Sequence, residues 1–175
     1  RSGEPRAALL YGVTGSGKTS VMLSAIDLSL SLGRGVIVML PEIALTPQTL
    51  GIFCARYGDR VAVIHSALSQ GERIDAYTRI KNGDADVVIG TRSAVFSPVK
   101  NLGMIIMDEE QEYTYKSENN PRYSAKEVAI WRGAKEHALV LLGSATPSVE
   151  TMYRAKSGDY RLYTLKERFG GRKLP

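Results

Sequence analysis

The chain has 175 residues, the length of one ordinary domain. Apolar side chains make up 43%, too many for a disordered tail, and no apolar run approaches the roughly 20 residues of a membrane span. Lys and Arg number 23 against 18 Asp and Glu, a net charge of +5, so the chain is only mildly basic.

The polar stretch from Arg1 to Arg6 starts no secretory signal. The first apolar run comes almost at once, which is expected of a lobe cut from a larger protein. Six such runs are rich in Val, Ile and Leu: 7–11, 36–40, 61–64, 86–89, 102–107 and 138–142. Lacking clean alternation, they suit buried strands of a parallel sheet. Amphipathic stretches separate them. Val21, Ala25, Leu28 and Leu32 share one helix face, and Gly33 ends it. Thr46-Pro47 opens the next helix, with Cys54 a small core residue of segment 50–56. Ser69 and Glu72 form a capping box, with Leu68 placed as a staple, and Ser124 and Glu127 repeat the signature. Residues 111–123 read as the longest loop, and Trp131 and the strand methionines Met104 and Met107 read as core. Thr146-Pro147 opens the last helix. The predicted fold is an α/β domain with a mainly parallel sheet and helices on both faces. The whole positive excess falls in residues 154–175, with 7 basic and 2 acidic side chains. That end reads equally as a solvated tail or a segment facing nucleic acid. A lone cysteine excludes an internal disulfide and a cysteine-rich zinc site, and fits a reducing intracellular compartment. His65 and His137 form no metal pair.

Gly12 to Thr19 reads GVTGSGKT, a full G-x-x-x-x-G-K-T pattern between an apolar strand and an amphipathic helix. Gly12, Gly15 and Gly17 let backbone N–H groups turn inward on a polyphosphate, with Thr14 and Ser16 completing the loop. Lys18 reaches the β- and γ-phosphates, and the Thr19 hydroxyl suits Mg²⁺. The apolar run 102–107 ends in Asp108-Glu109-Glu110-Gln111. Asp108 would hold Mg²⁺ through water, and Glu109 would orient and deprotonate the attacking water, with Glu110 the alternative base. Three more polar loops follow strands: PEIALTPQ (41–48), GTRS (90–93) and GSATPS (143–148). Their donors suit a phosphodiester backbone. Tyr113, Tyr115 and Tyr123, interleaved with Lys116 and Arg122, offer rings and cations for stacking unpaired bases. A tyrosine cluster packed on its own lobe is the alternative.

Taken in order, these motifs resemble the first-lobe motifs of superfamily 2 helicases. The similarity is closer still to the PriA family of bacterial replication-restart helicases. It extends over RVAVIHSALSQGER (60–73), ADVVIGTRSAVFSP (85–98), NLGMIIMDEE (101–110), YKSENNPRYSAKEVA (115–129) and LGSATPSVE (142–150). The resemblance implies a RecA-like P-loop lobe, spanning 1–175, of an ATP-driven enzyme moving 3′ to 5′ on a DNA strand. Lys18 and Thr19 would bind ATP and Mg²⁺, and Asp108 and Glu109 would carry hydrolysis. Ser144 and Thr146 would couple nucleotide to DNA. Thr46, Gln48, Thr91 and Arg92 would touch the DNA backbone, and Tyr113, Tyr115 and Lys116 would sense it. Implied partners are single-stranded or forked DNA, a second lobe with its arginine finger, and replication-restart proteins in the bacterial cytoplasm. The family's zinc insertion has no counterpart here, and Gln111 stands where the family usually has His. A double-strand DNA translocase and a nucleotide-binding scaffold without turnover are the alternatives.

Overall fold

The computed structural model describes residues 7–166. In chain order its first half runs β1 (Ala7–Gly12), α1 (Lys18–Ser31), β2 (Gly35–Met39), α2 (Pro47–Tyr57), β3 (Val61–Ile64), α3 (Gln70–Asn82) and β4 (Val87–Gly90). The second half runs β5 (Leu102–Met107), a hairpin of β6 (Lys116–Ser117) and β7 (Tyr123–Ser124), α4 (Ala125–Glu136), β8 (Leu139–Ser144), α5 (Val149–Ser157) and β9 (Tyr160–Leu165). Seven strands make one sheet in the order β3-β4-β2-β5-β8-β1-β9. Every pairing in it is parallel, so all strands point their C-terminal ends to one edge.

Both faces of the sheet are covered, as continuous apolar strands require. On one face Ala8, Leu10, Val36, Val38, Ile89 and Ile106 pack with Met22 and Ile26 of α1 and Phe53 and Tyr57 of α2. On the other, Leu9, Ile37, Met39, Val88, Ile105 and Val140 pack with Ile80 of α3, Ala129 of α4 and Ala155 of α5. The caps at Thr46, Ser69 and Ser124 form, and Ser69 with Glu72 makes the full reciprocal box, whereas Ser124 only accepts from Glu127 N and its box is not completed.

The structure corrects several expectations. α1 buries Met22, Ile26 and Ser29, whereas Leu28 and Leu32 of the expected apolar face are 62% and 67% exposed. Cys54 is exposed. So is Trp131, whose ring lies beneath the Lys135 ammonium at 4.8 Å. The last helix starts two residues later than Thr146-Pro147 predicts, because Ser148 accepts from Thr151 N and is the N-cap. The 111–123 segment holds a 3₁₀ turn at Tyr113–Tyr115 and the β6–β7 hairpin. The basic end is not all tail: β9 adds to β1 as an edge strand, with Arg154 over the Tyr160 ring at 5.8 Å. Positive charge on an edge strand opposes pairing with other chains. The rest of that end lies outside the described residues.

Candidate active site

Five neighbouring strands each deliver one motif to the same sheet edge. Read across β4-β2-β5-β8-β1, the order is GTRS, PEIALTPQ, DEEQ, GSATPS and the phosphate loop. At about 4.8 Å per strand the five span roughly 19 Å. The phosphate loop thus lies at one flank, the two loops read as DNA-facing lie at the other, and the acidic and Ser/Thr motifs fill the space between.

The phosphate loop turns through Gly15 and Gly17, at φ 79° and 89°, a left-handed backbone natural to glycine. Gly17 caps α1, so the helix opens at Lys18 and its positive end faces the loop. Lys18 Nζ donates to the carbonyls of Gly12 at 2.6 Å and Val13 at 3.2 Å. Ser16 Oγ is buried with no hydrogen-bond partner among the described residues. Thr19 is exposed beside it.

The end of β5 is tied on every side. Asp108 N donates to Met39 O at 3.0 Å, and Asp108 Oδ1 accepts from Glu109 N at 3.0 Å. Burial first, then the Glu109 charge, pushes the Asp108 carboxyl up, while the Glu109 N–H and Lys18 act against them. An added cation would offset both of the raising causes. Among the described residues no three His, Cys, Asp or Glu side chains form a metal cluster. A donor set of one carboxylate and one hydroxyl is compatible with a hard divalent cation such as Mg²⁺, which keeps most of its ligands as water and substrate phosphate. An added Cβ at Gly143 would meet the flexible end of the Met22 side chain and sit 3.2 Å from Asp108 Oδ1, so β8 passes close to the carboxylate. Glu109 adopts φ 50°, a strained backbone for a residue with a side chain.

Gln111 joins two motifs. Its Nε2 donates to Glu109 Oε2 at 2.7 Å, and its Oε1 accepts from Ser144 Oγ at 2.6 Å. Ser144 Oγ also accepts from Thr146 N at 2.9 Å. A neutral amide makes both contacts at once, donor on one side and acceptor on the other, so no cation is needed at this position. Glu110 is the residue sequence reasoning undervalued. It is 3% exposed and its oxygens are taken by Lys126, Ser148 and Thr151. That corrects its standing as an alternative base. The carboxylate run 108–110 carried no periodicity to say which member turns inward.

The flank read as DNA-facing is a groove of about 480 Å³, lined in part by Ser66, Arg73, Arg92, Tyr113, Lys116 and Tyr123. Lys116 is exposed there, and Gln48 is exposed but does not line the groove. Thr46 is engaged as the α2 cap, accepting from Thr49 N at 3.2 Å, and Thr91 is buried. Arg92 holds the aromatic segment instead of standing free. It donates to Thr114 O and Lys116 O at 3.1 and 3.0 Å and lies 6.0 Å from the Tyr123 ring, which packs edge-on against Phe96. Tyr115 departs from expectation. At 3% exposure its ring is closed to a base, and its single hydroxyl proton is shared between Asp108 O at 2.6 Å and Met39 O at 3.1 Å. Burial pushes its phenol pKa far up. Tyr113, 75% exposed, is the ring presented to solvent.

A RecA-like lobe with this edge defines a class, and the sequence matches the DEAD/DEAH box helicase family over residues 2–155. The chain belongs to that family. Within it, the chain is 50% identical over 174 residues to the replication restart protein PriA of Bacillus subtilis, covering 99% of this chain and 22% of that protein. It is 47% identical over 166 residues to PriA of Treponema pallidum, covering 95% and 25%. The chain thus spans about a fifth to a quarter of the length of these relatives. Among solved structures it resembles RecG bound to a three-way DNA junction, with TM-score 0.68 and 29% identity over 98% of this chain and 22% of that one. The Pyrococcus furiosus Hef helicase domain shares the fold, with TM-score 0.63 and 18% identity over 94% and 36%.

Proposed function

We propose that residues 1–175 are the ATP-binding lobe of an ATP-dependent DNA helicase that acts in replication restart in the bacterial cytoplasm, at the nucleoid, and moves 3′ to 5′. The observation that carries this reading is the placement of nucleotide and DNA motifs on five adjacent strand ends of one sheet. Half-identity to PriA supports the biological setting.

The loop 12–17 and the α1 N-terminus receive the phosphates, with Lys18 leaving its loop carbonyls for the β- and γ-oxygens. Thr19 and, through water, Asp108 would hold Mg²⁺, which would neutralise developing phosphate charge when bound. Glu109 accepts the proton of the attacking water, and Gln111 fixes its carboxylate. Single-stranded or forked DNA lies along the groove of Arg73, Lys116 and Tyr113, with Gln48 beside it. A second lobe supplies the arginine finger, so this lobe alone binds nucleotide weakly and hydrolyses it poorly. Restart proteins are further partners of the full-length protein, and no zinc is held by this lobe.

The test is ATP turnover by the full-length protein with and without single-stranded DNA, followed by strand displacement on a fork. Turnover that DNA stimulates, with displacement of the strand, is expected. Turnover stimulated only by duplex DNA, without displacement, would replace this reading with that of a duplex translocase.

A further inference from the structure

Resting on the reading of Glu109 as the base, we propose that Glu110 is a positioning residue for it, and that the Glu110–Lys126 pair closes the neck of segment 111–124. An apolar side chain at this buried position would need no partners, and a third carboxylate beside Asp108 and Glu109 adds like charge. The chain nonetheless buries an acid here and spends both of its oxygens. Oε1 accepts from Ser148 N at 2.8 Å. Oε2 accepts from Lys126 Nζ at 3.1 Å, Thr151 Oγ1 at 3.0 Å and Ser148 Oγ at 3.3 Å. Its own N–H donates to Gly143 O at 3.1 Å. One side chain therefore ties β5 to α4 and to the cap of α5, while its peptide ties β5 to β8.

Two consequences follow for the base. A non-glycine residue keeps a left-handed backbone only where its surroundings over-determine it, and Glu109, at φ 50°, has Glu110 as its next anchor. The aromatic segment leaves the acidic motif at Gln111 and returns at Lys126, the second residue of α4. Both ends of the segment therefore meet within one residue of the base, Gln111 on Glu109 itself and Lys126 on Glu110. A shift of the exposed Tyr113 region reaches Glu109 through that neck.

The experiment uses the full-length protein. Glu110→Gln keeps the size of the side chain and removes the charge on which four donors converge. The expected result is a 10- to 100-fold loss of kcat in DNA-stimulated ATP hydrolysis, the order of effect of a small misplacement of a reacting group. KM for ATP and the affinity for a fluorescent ADP should stay within about twofold, at a temperature where circular dichroism finds the variant folded. Lys126→Met should reproduce the kcat loss and Lys126→Arg should restore most of it; these two decide the matter if Glu110→Gln does not fold. Glu110→Gln and Lys126→Met both turning over within about twofold of wild type, or KM rising in step with falling kcat, would overturn the proposal. If wild type turns over and Glu109→Gln stops it while Glu110→Gln does not, this inference alone fails. Indifference to Glu109→Gln removes the reading of the base and this inference with it.

Discussion

The two sides of the nucleotide site are built on opposite plans. The side-chain bonds of the phosphate loop stay within the loop, with Lys18 on the carbonyls of Gly12 and Val13. Residues 108–111 are instead bonded to β2 through Met39, to β8 through Gly143 and Ser144, to α4 through Lys126 and to α5 through Ser148. A cradle must exchange its own contacts for those of a ligand, so it keeps its donors local. The proposed base, Glu109, must hold a water in one geometry, so it is fixed before the ligand comes. The difference separates binding from turnover, and mutations should respect that separation.

The largest expected effect tests the fixed side. Glu109→Gln in the full-length protein should lower turnover about 10² to 10⁴-fold while nucleotide affinity stays within about twofold, measured by steady-state kinetics and calorimetry. Lys18→Ala should instead weaken binding. Removing a charge-assisted bond costs about 1.5–3 kcal/mol, so calorimetry should find roughly 10- to 150-fold weaker nucleotide binding with little change in melting temperature. Equal loss of affinity in both variants would break the comparison. Tyr115→Phe removes only the hydroxyl that spans Met39 and Asp108. It should lower stability by about 1 kcal/mol, or about 2–4 °C in a thermal scan, and leave DNA affinity unchanged, because the ring is buried.

The smallest effect is a gain. Asp108 has its folded pKa raised by burial and by Glu109, so its charge opposes folding. The penalty is absent below the unfolded pKa of about 3.9 and grows as pH rises through the folded value. Asp108→Asn should therefore melt higher than wild type at neutral pH, and the two curves should converge below about pH 4. Turnover should be lost in the same variant. A melting difference that grows on acidification would contradict the assigned cause.

Some of this was legible beforehand. Strands 61–64 and 102–107 lie where their apolar runs place them, because a strand buried on both faces announces itself by composition alone. The phosphate loop was legible because its chemistry is local in sequence. What failed was choice of face. α1 is apolar most of the way round, so Val21, Leu28 and Leu32 offered as good a stripe as Met22 and Ile26, and only the position of the sheet decides between them. β9 was hidden because Tyr160–Leu165 exposes most of its residues and its positive neighbours read as a tail. Tyr115 and Glu110 were misjudged for a shared reason. Each is a polar residue whose partners, Met39 in one case and Ser148 with Thr151 in the other, are distant in sequence, and no local pattern reports such a bond.

The strand order also sets when the protein becomes itself. β1 leaves the ribosome before any other strand of this sheet, yet its neighbours are the last two made: Tyr11 pairs with Ser144 on one side and Thr164 on the other. At roughly 5–20 residues per second, synthesis keeps that strand waiting on the order of ten seconds. For that interval Ala7–Gly12 is an apolar ribbon with both edges open, the kind of segment that chaperones shield and that pairs wrongly when crowded. Nucleotide gives no help during the wait, since a ligand stabilises only the form that binds it. The residues translated first in the sheet are thus the last to be paired, and the strand that leads into the phosphate loop is held from both sides only once Tyr160–Leu165 has been made.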